Sequence, residues 1–229
     1  DEELREQEEK ARAHQTKKES EALIASYKSS LVKIKDDAKE FEGGGVAKCD
    51  ATIIDERLAG SSQIQIATVD LARLDGSELK EPTRWEFLTS GEMNNFLGDD
   101  DDAKATAVKK IEEESGGLIL VYIGRDRVWP VVHMDEAVNV GDDFAYDTGV
   151  FAGDAAIYDI TTGKRLCHAG MEVENSDEIT FREGRFSSKK AQAENAVFED
   201  FKDEVRDAAM KNVKNLAQGK LKLGYSILE

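Results

Sequence analysis

The chain has 229 residues, 40% hydrophobic and 34% charged, with a net charge of −17, which is enough apolar material for one sizeable core or two small ones under a heavily solvated surface. Residues 1–42 carry 12 acidic and 9 basic side chains, a net of −3, leaving −14 on the body. That balance disfavours DNA, RNA or an anionic membrane as a direct partner of the body, since phosphate binding demands clustered Lys and Arg, while a basic protein or a divalent cation stays compatible with it.

No run of 18 apolar residues and no signal-peptide pattern is present, so no segment reads as a membrane span. The start at Asp1, without Met, is the one expected of a mature form or of a piece of a longer chain. Membrane attachment, on this reading, comes only through an anchor ahead of Asp1. Residues 1–20 are nearly continuous charge, with favourable i,i+4 pairs at Glu6/Lys10 and Glu8/Arg12, and predict a solvated helix. An apolar seam then runs through Ile24, Tyr27, Leu31, Ile34, Ala38 and Phe41 at alternating spacings of 3 and 4. Such a stripe fits packing on the chain's own sheet, or self-association through Ile24, Tyr27, Leu31 and Ile34 as in a short coiled coil.

Gly43-Gly44-Gly45 ends this helix and reads as a hinge. It lacks the spacing of a Walker loop or a dinucleotide fingerprint, and it follows a helix C-terminus, whose dipole repels anions. No cofactor is therefore expected. Residues 46–60 fit either a strand over 46–54 or a short helix over 50–58. Ile64, Ile66, Val69 and Leu71 give a strand with a phase break, Asp75-Gly76 a turn, and the alternation of Trp85 and Phe87 a strand over 83–88. Thr89-Ser90-Gly91-Glu92 has a capping-box pattern with Thr89 as cap, opening a helix that Gly98 interrupts and that resumes to Gly116. The run 118–123 (Leu-Ile-Leu-Val-Tyr-Ile) predicts a strand buried on both faces, so residues 83–123 propose a β-α-β crossover. Residues 128–133 follow as a strand whose Pro130 belongs at an edge or bulge. An acidic loop covers 135–148.

Residues 150–173 form the plainest hairpin in the chain. Gly163 supplies a positive φ and Asp159 an acceptor for the turn backbone, so 160–163 is read as a four-residue loop on a type I turn. This register opposes Asp159 to Lys164, Tyr158 to Arg165, Ala156 to Cys167, Ala152 to Met171 and Val150 to Val173. Cys167 then faces a helix and His168 the other side. A strand over 179–186, a helix over 188–218 with an apolar face through Val197, Phe201, Val205, Ala209, Val213 and Leu216, and a terminal strand starting at Leu221 complete the chain.

Chemistry-bearing residues are few. Cys49 and Cys167 have no C-x-x-C partner; they suit one disulfide in an oxidising compartment, worth ~4–5 kcal/mol on the chain-entropy argument, or two buried thiols. His14 belongs to the solvated helix. His133, His168 and Asp135 are the best catalytic candidates, as a metal-dependent or acid/base hydrolase site, although no H-E-x-x-H spacing supports them. A Cys167–His168 nucleophile pair fails because strand neighbours point to opposite faces. Asp99, Asp100, Asp101 and Asp102 suit a helix N-terminus and, less well, calcium, whose loops space their carboxylates at alternate positions.

The hairpin with its Asp159-Ile160-Thr161-Thr162-Gly163-Lys164 turn, followed by a long amphipathic helix, resembles the C-terminal half of bacterial envelope lipoprotein domains over roughly residues 150–218. The charged leading helix resembles their anchor-proximal segment. The resemblance implies an extracytoplasmic compartment and a tether at the N-terminus.

The expectation is an α+β fold: a mixed or mostly antiparallel sheet packed by a long C-terminal helix, with a long charged N-terminal helix over 1–42 and one globular domain over 43–229. The function expected is that of a non-catalytic periplasmic or cell-envelope domain acting through protein partners. The alternatives are the hydrolase and a cytoplasmic acidic scaffold.

Overall fold

The computed structural model describes residues 2–58, 64–74, 85–133, 145–177, 179, 188–219 and 221–223, with the side chains of the first helix taken from His14 onward. The fold is α+β, with a mixed sheet covered on both faces by helices. Its order is β1(Val46–Ala47), β7(Lys164–Glu174), β6(Val150–Asp159), β3(Leu118–Val128), β2(Ile64–Asp70), β8(Leu221–Leu223). From β1 to β3 in that order each pairing is antiparallel, whereas β2 is parallel to both β3 and β8. A crossover of the expected kind exists, but it starts at β2 and passes through α4(Gly91–Leu97) and α5(Asp101–Ser115) before β3.

β3 shows why the centre is where it is. Leu118, Leu120 and Tyr122 face one core, and Ile119, Val121 and Ile123 face the other, all buried. The first core is closed by α6(Lys189–Leu216), which buries Ala193, Val197, Phe201, Val205, Ala209, Val213 and Leu216 along one stripe and is capped by Ser188, whose side chain accepts from the Ala191 N–H. The second is closed by α4, α5 and α1(Glu2–Glu40). In α1 the seam residues Tyr27, Leu31, Ile34 and Ala38 are buried in this core, with Ile24 and Phe41 packed at its margin. Tyr27, Leu31 and Ile34 are thus buried against the chain's own body.

Several local expectations are corrected. Residues 46–58 form both alternatives in turn, β1 and then α2(Ala51–Leu58). Residues 86–88 are a 3₁₀ turn, not a strand, and the Trp85 and Phe87 rings stack with centroids 6.1 Å apart. A single cluster, with Trp85 also against Phe201 at 5.9 Å, satisfies both rings. The cap of α4 is Ser90, whose hydroxyl accepts from the Met93 N–H; Thr89 instead accepts from the Asp70 N–H at 3.2 Å and ties this turn to β2. A short helix α3(Leu71–Leu74) follows β2 directly. β3 ends before Pro130, and β4(Val131–His133) leaves the main sheet to pair with β5(Ala145–Asp147) as a separate ribbon.

The 150–174 hairpin keeps the expected register only next to its turn. Asp159 opposes Lys164 and Tyr158 opposes Arg165, with the Gly163 N–H donating to the Asp159 carbonyl at 2.8 Å and φ +75° at Gly163. Beyond that, Leu166 is bulged and the register shifts by one, so that Ile157, Ala155, Gly153 and Phe151 oppose Cys167, Ala169, Met171 and Val173. The shift gathers Ala155, Ile157, Cys167, Ala169, Met171 and Val173 into the core under α6, which the unbulged pairing would have mixed across faces. The turn at Asp75-Gly76 and most of the strand expected over 179–186 fall outside the described residues, as does the end of the terminal strand after Leu223.

Candidate functional site

The histidines do not converge. His168, half-buried in β7, pairs with Ala47 and Ala156 and meets the Phe41 ring edge-on at 4.6 Å, on the α1 side of the sheet. His133 stands in the ribbon, where its Nε2 is 2.8 Å from the Asp147 carboxylate and both side chains are largely exposed. The ribbon packs at the start of α6 through Val132, Ala193 and Val197, on the opposite face. It also lies near the beginning of β6, where Val150 opposes Glu174, six residues beyond His168 on β7 and hence about 20 Å along the strand. One metal or one proton relay does not span that separation. Asp135 lies outside the described residues.

The four aspartates are a helix start. Asp100 caps α5, its carboxylate accepting from the Asp102 and Ala103 N–H groups at 2.9 Å. Asp101 accepts from the Lys104 ammonium, also at 2.9 Å. That hydrogen bond, then the Lys104 charge, with smaller contributions from Lys28 and Lys17, lowers the Asp101 carboxyl below its usual range. Among the described residues no three His, Cys, Asp or Glu side chains stand close enough together to hold a metal.

Cys49 and Cys167 form a disulfide with Cα atoms 4.7 Å apart, joining the segment after β1 to the centre of β7. Both are buried in the α6-side core, and the Cys49 N–H also donates to the Leu216 carbonyl at the end of α6.

The most unusual chemistry in the molecule is a pair of buried carboxylates that composition alone did not reveal. Asp154, in the middle of β6, is 0% exposed. It pairs with Arg125 and accepts from the Gly44 N–H at 3.3 Å, while Arg125 donates to the Glu42 carbonyl at 3.3 Å. The three glycines after α1 all have positive φ, and a Cβ on Gly43 would fall 1.6 Å from the Arg125 guanidinium. A side chain at Gly43 would therefore collide with Arg125, and all three positions need the left-handed backbone that glycine adopts freely. Asp70, at the end of β2, is gripped by Arg127 through two bonds of 2.5 and 2.7 Å and accepts a third from the Ala72 N–H at 2.9 Å. The Arg127 guanidinium lies 5.2 Å from the Trp85 ring and 5.4 Å from Phe151, and it crosses Gly124, where a Cβ would come within 2.0 Å of Nε. Bidentate pairing over aromatic faces is a property of arginine. With three donors, Asp70 is a clamp between β2 and the bulged end of β3. The signal available in the sequence was charge inside apolar strands: Asp154 within Gly-Asp-Ala-Ala-Ile, and Arg125 and Arg127 directly after Leu118–Ile123.

Among the open grooves of the described residues, two have volumes of about 370 Å³. One lies between the ribbon and α6 and is lined by Trp129, Val131, Lys190, Glu194 and Phe198; Val128 and Val131, at its edge, are among the exposed large hydrophobics of the described residues. The other lies between α1 and the α4–α5 corner, with an apolar floor and the lysines Lys28, Lys35 and Lys104 around it.

No protein family, curated protein or solved structure matches this chain.

Proposed function

We propose that this chain is a non-catalytic extracytoplasmic domain, tethered through its N-terminal helix, that acts through contacts with other proteins. The observation that carries the reading is the Cys49–Cys167 disulfide. It is buried and closes a separation of 118 residues, and bonds of that structural kind persist in oxidising compartments and are rare in reducing ones. The exposed charged stretch at residues 14–19 of α1 suits a spacer. The absence of a convergent acid, base or nucleophile among the described residues, together with the mutual pairing of the buried charges, favours binding over catalysis. The exposed Val128 and Val131 beside the Trp129–Phe198 pair, whose rings are 4.7 Å apart, offer an apolar contact surface of the kind found at the centre of protein interfaces.

Two measurements test this. Alkylation of intact cells followed by non-reducing peptide mapping is expected to recover the Cys49–Cys167 cross-link. Recovery of two alkylated thiols would place the chain in a reducing compartment and sink the extracytoplasmic reading. A photo-crosslinking residue at Val131 in the native host is expected to give a discrete adduct with one other protein, and no adduct from this position argues against the contact reading.

A further inference from the structure

The groove between α1 and the α4–α5 corner runs against the charge of the molecule. In a chain of net charge −17, three lysines surround one apolar slot. Lys28 and Lys35 sit seven residues apart on α1, so they lie on one face, with Leu31 and Val32 between them; Phe96, Leu97 and Leu74 add the apolar floor, and Gly98 and Asp99 close the end at Lys104. Val32 is 53% exposed, although its neighbours belong to or pack against the core. Lys104 is buried along its stem; its ammonium donates to the Asp99 carbonyl at 3.1 Å and to Asp101 at 2.9 Å, which uses two of its three N–H groups. Lys28 and Lys35 form no salt bridge among the described residues.

A volume of about 370 Å³ suits a small ligand. The lining asks for a particular one: an apolar chain for the Leu31–Phe96–Leu97 floor and a single negative head for the lysines. A neutral apolar molecule would leave the cations without a partner, and a multiply charged polar anion would leave the floor wet. We infer that this groove binds a single-chain anionic amphiphile, with the acyl chain on the floor and the carboxylate between Lys28 and Lys35. The inference does not depend on the proposed function above.

The same chemistry is offered by a free fatty carboxylate and by the anionic acyl lipids of a bilayer, and the test separates them. Dodecanoate, below its micelle concentration, is titrated into the full chain by calorimetry, with dodecanol as the neutral chain of equal length and with phosphatidylglycerol vesicles as the bilayer source. Saturable 1:1 binding of dodecanoate, at least tenfold tighter than dodecanol, is expected. The paired substitution Lys28→Glu and Lys35→Glu should weaken it at least tenfold with the thermal midpoint unchanged. Val32→Trp should block it while leaving both lysines in place. Lys190→Glu, in the other groove, should have no effect. Equal binding of dodecanol, binding to vesicles without binding of the monomer, or indifference to both the lysine pair and Val32→Trp overturns the inference.

Discussion

α6 and α1 cover opposite faces of one sheet and hold to it in different ways. Under α6 the contact is chiefly apolar and aromatic, with Phe201 meeting Trp85 and Trp129 at 5.9 and 5.7 Å and the Cys49–Cys167 bond in the same core; polar bonds fasten its rim, the Asn175 amide donating to the Val197 carbonyl at 2.9 Å and the Asn212 amide to the Gly170 carbonyl at 3.2 Å. α1 buries a shorter seam, Tyr27 to Ala38, and adds directional bonds. The Tyr27 hydroxyl donates to Glu112, and the Tyr158 hydroxyl donates to Asp37 at 2.7 Å. Arg165 reaches Asp37 at 3.4 Å and lies 3.8 Å from the Phe41 ring, and Ser30 donates to the Thr161 carbonyl at 3.1 Å. Apolar burial stabilises without fixing register, while polar contacts fix register and contribute less per contact. With its shorter apolar seam, the α1 arm is expected to be the first of the two helices to undock.

The strongest way to break this contrast is Phe201→Ala. Removing a fully buried ring from an aromatic cluster should cost about 3–5 kcal/mol and unfold both faces together, with near-ultraviolet dichroism from Trp85 and Trp129 lost in the same transition as helicity. A variant in which α1 alone opened would contradict the division of labour. Next in size is the disulfide: replacing Cys49 and Cys167 with serine should lower stability by roughly 2–5 kcal/mol, read as a lower denaturation midpoint. Because the bond pins the segment after β1, exchange protection should fall first at Val46, Ala47 and α2. Smaller again is Tyr158→Phe. Loss of its bond to Asp37 should cost about 1–2 kcal/mol, and hydrogen exchange should accelerate along α1 while the slow amides of α6 stay slow. Equal acceleration of both helices would show that the two faces are not held separately.

These contrasts were only partly visible beforehand. The α6 stripe, the α1 seam and the doubly buried run Leu118–Ile123 were legible because burial imposes a period on the sequence. The turn was legible because Asp159 and Gly163 each have a specific backbone task there. The bulge at Leu166 was not, since both registers place apolar residues near one another and only the three-dimensional core chooses between them. The 3₁₀ turn at Glu86–Leu88 was missed for a related reason: two aromatics separated by one residue look like a strand until a single cluster accepts both. The Asp–Arg clamps were hidden most deeply. Asp70 meets Arg127 and Asp154 meets Arg125 only after three strands have been laid side by side.

The gentlest probe of the arm is pH. At the acid end, burial pushes the Asp159 carboxyl up, but hydrogen bonds from the Thr161 hydroxyl and backbone, followed by the Arg57 charge, outweigh it and leave its pKa lowered. A depressed carboxyl contributes stability that is present above its unfolded value of about 4 and is lost as pH falls through the folded one. Asp159→Asn should therefore flatten the acid limb of the stability curve. At the alkaline end the phenols of Tyr27 and Tyr158 are both raised, chiefly by burial and then by their bonds to Glu112 and Asp37. A raised group contributes fully below its unfolded value of about 10 and loses that contribution as pH rises above it, by at most about 1.4 kcal/mol per pH unit for each phenol. Absorbance at 295 nm should accordingly show Tyr27 and Tyr158 ionising only as α1 undocks, in a step that coincides with loss of α1 exchange protection. Tyr27→Phe and Tyr158→Phe should each remove one tyrosine from that step. If all the tyrosines instead titrate smoothly near pH 10 with α1 still protected, the polar contacts do not hold the arm, and its attachment to the sheet must be ascribed to the Tyr27–Ala38 seam alone.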